Sequence, residues 1–180
     1  MGISDQDRQH ISEFLDNVNF GNSQNIIGLS TMYSDPSDGR VNRTFKKFEK
    51  RQNSDLPPLI DLDMLSKDEK DLFDVINQIG QEVSVGFPPA LLRGLARWPK
   101  LLPIIWNTLS MIDSDGRLEQ LKQKSRDEAF KHSSILASQI NRINPPEDGD
   151  QVLEQLKKLT QGGIPRMLPV GLLLHKMLSK

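Results

Sequence analysis

The chain has 180 residues, which is long enough for one domain with its own hydrophobic core. Its 23 basic and 24 acidic residues nearly cancel, so we expect neither a nucleic-acid partner nor an anionic membrane as partner. The chain has no cysteine, which excludes a disulfide scaffold, a cysteine-ligated metal and thiol chemistry. The N-terminus carries no apolar run, and the longest apolar stretch, residues 167–178, is too short to cross a bilayer, so we expect a cytoplasmic protein.

The first part of the chain differs in composition from the rest. Residues 1–55 are rich in Asn, Asp, Ser and Arg, so we expect a polar N-terminal extension there and a helical domain over residues 56–180. Ser4 or Asp5 is suited to cap a short helix that ends near Val18. Four apolar residues at helical spacing define its inner face: Ile11, Phe14, Leu15 and Val18.

A basic helix is predicted over residues 40–51, where six positive residues stand against Glu49. Two interpretations stay open. The helix could contact nucleic acid, or it could be a solvated helix whose apolar side packs on the body. We favour the second because the charge of the chain as a whole is balanced.

Clear helices begin after residue 56. Ser66 and Glu69 fit a capping box, and an apolar pattern continues from there through Val83. Pro88-Pro89 are expected to begin the next helix, and Pro99 must break it, because proline lacks the backbone N–H that a helix interior needs. A restarted helix is then predicted to end at a turn over residues 113–116.

The longest predicted helix covers residues 117–142. Its inward stripe is expected to consist of residues three or four positions apart: Leu118, Leu121, Ser125, Ala129, His132, Leu136, Ile140 and Ile143. A short helix over residues 150–160 should end at Gly162-Gly163, and a last apolar helix should follow over residues 164–178. Because no stretch alternates with the period of a strand, we predict an all-α, multihelical bundle.

Residues 86–106 combine four prolines, two arginines and two tryptophans in an otherwise apolar run. Phe87-Pro88 is followed by RGLARWP at residues 93–99, and the run ends at Trp106. This pattern resembles one repeat of the group I 2-haloacid dehalogenases, all-α enzymes in which two such repeats pack around the active site. The resemblance covers about residues 56–180. It implies a helical domain that forms a homodimer to cover the surface that the second repeat would bury.

The same resemblance implies that the family's chemistry is absent. In the family, an aspartate acts as general base on the water that displaces halide from carbon 2 of the substrate. Matching the family's arginine to Arg93 puts that base at Leu91, and no Asp or Glu lies between Val83 and Asn107. A leucine cannot accept a proton. The resemblance therefore implies no ordinary 2-haloacid dehalogenase activity.

Five residues of this region are candidates for binding a ligand. Arg93 and Arg97 are four residues apart, so they share a helix face and could hold an organic carboxylate, or they could instead pair with nearby acids. Trp98 and Trp106 could form the walls of a pocket or pack in the core. Asn107 could donate a hydrogen bond to the ligand or face solvent.

His132 is the one weak catalytic candidate. It lies on the predicted inward stripe near Ser125, Ser133 and Ser134, so a base beside a hydroxyl is conceivable. A buried histidine that bonds to backbone or serine is the alternative that we favour. No two histidines have metal-ligand spacing, so we expect no metal, and nothing indicates a cofactor.

Two functions remain open on the sequence. The first is a homodimer that binds a small organic acid or apolar ligand, with hydrolase-like chemistry. The second is a non-catalytic helical module for protein–protein interaction. A cavity lined by Arg93, Trp98 or His132 would favour the first. A filled core with an apolar patch on the outside would favour the second.

Overall fold

The computed structural model describes residues 3–32, 58–81, 87–138 and 149–178. The regular secondary structure in these ranges is entirely helical, which confirms the predicted all-α fold. The described ranges contain seven α-helices, in this order: α1 (Asp5–Thr31), α2 (Lys67–Gln78), α3 (Ala90–Leu95), α4 (Leu102–Ser114), α5 (Arg117–Ala137), α6 (Gly149–Lys158) and α7 (Ile164–Leu178). None of these helices combines the length and apolar character that a membrane-crossing segment requires. The predicted basic helix over residues 40–51 lies outside the described residues.

Helix α1 begins where the sequence predicts, because the Ser4 side chain accepts a hydrogen bond from the backbone N–H of Asp7. The predicted end near Val18 is wrong, since the helix continues to Thr31. Packing explains the extra length: α1 lies along α7 and α5, and tertiary contacts stabilise helices of modest intrinsic propensity. Its inner face is buried in the main core through Ile11, Phe14 and Leu15. This part of residues 1–55 therefore belongs to the core, while the division of the chain at residue 55 stays a prediction.

Helix α2 confirms the predicted capping box. Ser66 accepts from the backbone N–H of Glu69, and the Glu69 side chain accepts from the backbone N–H of Ser66. The helix ends at Gln78, before the end of the apolar pattern that the sequence carries through Val83. Gly80 follows with a φ of 64°, a left-handed conformation that glycine adopts without steric cost and that stops the helix.

The proline-rich segment breaks where the sequence predicts. Helix α3 is only six residues long, and a 3-10 turn over Pro99–Leu101 follows it. Helix α4 then begins at Leu102 with Pro103 in its first turn, where a missing backbone N–H costs least. The break turns α4 so that it packs against α2 and α5.

The buried side of helix α5 overlaps the predicted stripe only in part, at Leu118 and Ala129. Its buried residues are Leu118, Lys122, Ala129, Ser133 and Ala137. Leu121 is 36% exposed and His132 is exposed, so their predicted inward positions are wrong. The reason is the packing of α5 against α1 and α7, which covers one edge of the apolar stripe and leaves the other edge uncovered. Ile140 and Ile143 lie outside the described residues.

The C-terminal part contains a continuous helical path that the sequence did not predict. Gly162-Gly163 were expected to end a helix, but they belong to a π-helical turn, Leu159–Gly163, that leads directly from α6 into α7. Helix α7 carries Pro169 in its interior and is buried along most of its first two turns. It contacts both α1 and α5, so these three helices form the centre of the bundle.

Candidate functional site

Arg93 and Arg97 bind the chain itself. The Nη2 atom of Arg93 donates to the backbone carbonyl of Ile60 at 3.3 Å, and Arg97 donates through Nη2 to the carbonyl of Pro58. Both contacts hold the segment at residues 58–60 against α3 and the turn that follows α3. Neither contact is with an acid, so the arginines have a structural use that the sequence did not indicate. Their role as a clamp for a carboxylate stays a prediction.

Trp98 connects the proline break to the beginning of the chain. It is half-buried against the main core, and its Nε1–H donates to Asp7 Oδ1 at 3.1 Å. The Ser4 hydroxyl donates to the same carboxylate at 2.6 Å, and these two hydrogen bonds, from Ser4 first and then Trp98, lower the pKa of Asp7. The contact joins residues 91 positions apart in sequence. Trp98 thus links α1 to the turn between α3 and α4.

Trp106 and Asn107 lie on the outer side of α4. The Trp106 side chain is 40% exposed, and Asn107 is exposed. Neither residue lines either of the two grooves described below. The five ligand-binding candidates are spread over α3, the turn and α4, and none of them lines either of these two grooves.

His132 stands on the surface of α5. Its side chain is 55% exposed, and its Nε2 lies 3.8 Å from Glu128 Oε2 one turn earlier. The neighbouring hydroxyls bond to carbonyls of the same helix: Ser125 donates to Leu121 and Ser134 donates to Phe130. These hydrogen bonds are the ordinary ones that serine makes to the preceding turn of a helix.

Sequence reasoning missed two buried cations at the C-terminal end of α2. Lys122 is 1% exposed and donates to the carbonyl of Gly80 at 3.0 Å and to Glu119 at 2.7 Å. Arg166 is 4% exposed and donates to the carbonyls of Asn77 and Ile79. Burial lowers the pKa of Arg166 to about 10, which leaves it charged at neutral pH. Positive charge is favourable at the C-terminal, negative end of a helix dipole, so this cluster stabilises the C-terminal end of α2.

A serine, a histidine and an aspartate meet between α1 and α7, but not as a catalytic triad. Ser12 Oγ is 3.1 Å from His175 Nε2, and Asp16 Oδ1 is 3.3 Å from the same nitrogen. In a triad the acid holds the opposite ring nitrogen, which orients the imidazole toward the hydroxyl. Here Asp16 and Ser12 share one nitrogen. The cluster therefore ties the end of α7 to α1, and no sequence signal joins residues that are 163 positions apart.

An open groove runs between α5 and α7, and we call it the α5/α7 groove. It has a volume of about 430 Å3. Its apolar residues include Leu172, which is 57% exposed, and Leu121 from the uncovered edge of the α5 stripe. The side chains at its sides include both positively and negatively charged ones. The lining residues are Leu121, Lys124, Ser125, Glu128, Pro169, Leu172, Leu173 and Lys176.

A smaller groove, which we call the α1/α3/α7 groove, has a volume of about 220 Å3. Asn22, Asn25 and Leu29 of α1 form one side, at a spacing that puts them on one helix face. The other sides of the groove are formed by the start of α3, the π-helical turn and the start of α7. The remaining lining residues are Phe87, Pro89, Ala90, Leu91, Leu159, Gly163, Ile164 and Met167.

Over the described ranges, no three His, Asp or Glu side chains are grouped as a metal site would require. No known protein family, no curated protein and no solved structure matches the chain.

Proposed function

We propose that this protein is a non-catalytic helical module that associates with a second copy of itself through the α5/α7 groove. One observation carries the proposal: Leu172 is 57% exposed beside Leu121, in a groove of about 430 Å3 on the outside of the helical bundle. Apolar patches on helical surfaces mark sites of association. The proposal keeps the cytoplasmic location that the sequence favours.

A second copy is the partner because the groove is complementary to itself in charge. Lys124 and Lys176 lie at its sides together with Glu128. In a twofold-symmetric interface the same patch faces itself, so an acid of one protomer can meet a base of the other when the patch carries both signs. A groove with one sign of charge would repel its own copy. Burial of the apolar centre would supply the free energy of association. The charged residues of both signs at the sides of the groove would set how the two protomers align.

The alternative, a hydrolase or a carboxylate-binding protein, has less support. Arg93 and Arg97 donate to backbone carbonyls, Trp98 donates to Asp7, and none of the three lines the α5/α7 groove or the α1/α3/α7 groove. The position that the resemblance assigns to the base is a leucine, Leu91, which is 1% exposed. We therefore expect no halide release from 2-chloropropionate above a control without protein. Release that His132→Ala abolishes would contradict the proposal and make His132 a base.

Analytical ultracentrifugation across a concentration series tests the association. The wild-type protein should sediment with about twice the 20.4 kDa mass of one chain. Leu172→Glu should shift it to the monomer mass, because a carboxylate in the centre of the interface would be buried without a partner. Phe130→Glu is the matched control: Phe130 is 52% exposed on α5 but lies outside the groove, so this variant should stay dimeric.

Three results would contradict the proposed association. The wild-type chain could remain a monomer at high concentration. Leu172→Glu could leave the dimer intact while its circular dichroism stays native. Phe130→Glu could dissociate the dimer as strongly as Leu172→Glu does, which would move the interface elsewhere.

A further inference from the structure

The α1/α3/α7 groove is a second concave site, separate from the proposed interface. It shares no lining residue with the α5/α7 groove. Three separate parts of the chain converge on it, and Leu91 and Met167, both buried, form its apolar base. Pockets that bind small molecules have this arrangement, with elements from distant parts of the sequence around an apolar floor.

The π-helical turn at one side of the groove is a costly local structure. π-Helical turns are rare and occur often at functional sites. This one includes two adjacent glycines, which are unfavourable in a helix interior relative to alanine. Leu159 and Gly163 of the turn line the groove, and Gly163 brings no side chain into it. The turn therefore shapes the groove at the expense of a regular helix.

The chemistry of the lining restricts what the groove can hold. None of the described residues that line it is ionisable, and the only polar side chains among them are the amides of Asn22 and Asn25. A charged ligand would lose its hydration without gaining a partner of opposite charge. An uncharged apolar ligand would lose little hydration free energy on entering the groove. One hydrogen-bonding group on that ligand would find an amide on the α1 side.

The size of the groove limits the ligand to about one or two small rings. A cavity of about 150 Å3 accommodates benzene. The volume of about 220 Å3 here leaves room for a substituted ring or a fused pair such as indole. We propose that the α1/α3/α7 groove binds an uncharged, mainly apolar molecule of this size, with its one polar group bonded to Asn22 or Asn25.

Isothermal titration calorimetry with indole tests the proposal on the full chain. Indole-3-acetate and tryptamine serve as probes of similar shape that carry one negative and one positive charge. Indole should bind with a stoichiometry of one per chain, and each ion should bind at least about tenfold more weakly. The proposal fails if indole does not bind up to its solubility limit. It also fails if either ion binds as tightly as indole.

Variants locate the binding to this groove. Ala90 is exposed at the groove, so Ala90→Trp should fill the space without disturbing the core and weaken indole binding at least about tenfold. Ser114→Trp, at an exposed site on α4 outside both grooves, should bind indole as the wild type does. Leu172→Glu should also bind normally, which separates this site from the α5/α7 groove.

A second groove variant keeps the test decisive if Ala90→Trp does not fold. Phe87 is 62% exposed, so Phe87→Ser removes a wall of the groove at little risk to the core. It should weaken indole binding several-fold. Unchanged affinity in a folded groove variant would overturn the proposal.

Discussion

Two glycine-to-alanine substitutions should change the stability of this protein in opposite directions. Gly94 lies in α3 against the ring of Phe14, a residue of α1 that is 4% exposed. A Cβ built at Gly94 would stand less than 3.0 Å from three atoms of that ring. Gly28 lies in α1 with nothing within 4 Å of its Cβ position. The same substitution therefore meets a buried aromatic ring at one site and open space at the other.

The magnitudes follow from two opposing effects. Replacing a helical glycine by alanine reduces the entropy of the unfolded chain and stabilises by about 0.5–1 kcal/mol. At Gly28 nothing opposes this gain. At Gly94 the ring is held in the core and cannot move aside, so overpacking of about 1–3 kcal/mol or more exceeds the gain. We expect Gly94→Ala to lose about 1–2 kcal/mol net, a large share of a typical stability of about 5–15 kcal/mol.

Urea unfolding followed by circular dichroism at 222 nm measures both effects. The midpoint should fall for Gly94→Ala and rise for Gly28→Ala. Phe14→Leu should reduce the cost of Gly94→Ala when the two are combined, because the smaller side chain leaves room for the new methyl group; this appears as a coupling in the double-mutant cycle. The reasoning is refuted if Gly94→Ala is as stable as the wild type, or if the double variant loses the sum of the single losses.

Three further substitutions, two of them paired with a control variant, test other contacts. Trp98→Ala should destabilise by about 3 kcal/mol, because it removes a half-buried ring and its hydrogen bond, whereas the exposed Arg97→Ala should cost less than about 1 kcal/mol; equal urea midpoints would contradict this. Lys122→Met should cost about 1–3 kcal/mol, since the part-buried carbonyl of Gly80, just after α2, loses its donor, while the exposed Lys131→Met should change stability by less than about 0.5 kcal/mol. The lowered pKa of Asp7 stabilises the fold above the ordinary value of 3.8, and this contribution is lost as pH falls through the folded-state pKa. Trp98→Phe removes one of the donors that lower this pKa, so acid unfolding should begin at a higher pH; an unchanged acid transition would count against the role of that hydrogen bond.

Several elements could be predicted because their signals are local. The Ser66–Glu69 capping box depends on residues three positions apart, and the break at Pro99 depends on the missing N–H of one residue. The cap of α1 at Ser4 is local in the same sense. The all-α class follows from the helical spacing of apolar residues over the whole chain.

The candidate site could not be located in the same way. The spacing of Arg93 and Arg97 predicted a shared helix face, which is wrong because α3 ends at Leu95 and Arg97 lies in the turn that follows. The spacing also could not tell which partner would reach either side chain. Backbone carbonyls of the segment at residues 58–60 bind both side chains. A carbonyl has no sequence signature, because every residue has one. The use of these arginines is therefore visible only when the two segments are seen side by side.

The sequence by itself determined where most helices begin and break, since capping, proline and apolar spacing act within a few residues. The tertiary structure decided which side of each helix is covered. In α5 the surface that α1 and α7 cover is displaced from the apolar stripe. Lys122 is therefore buried, while Leu121 and His132 are exposed. The burial of a residue depends on the helices that pack against it, and their positions follow from contacts between residues far apart in the chain. The α5/α7 groove and the α1/α3/α7 groove arise from such contacts.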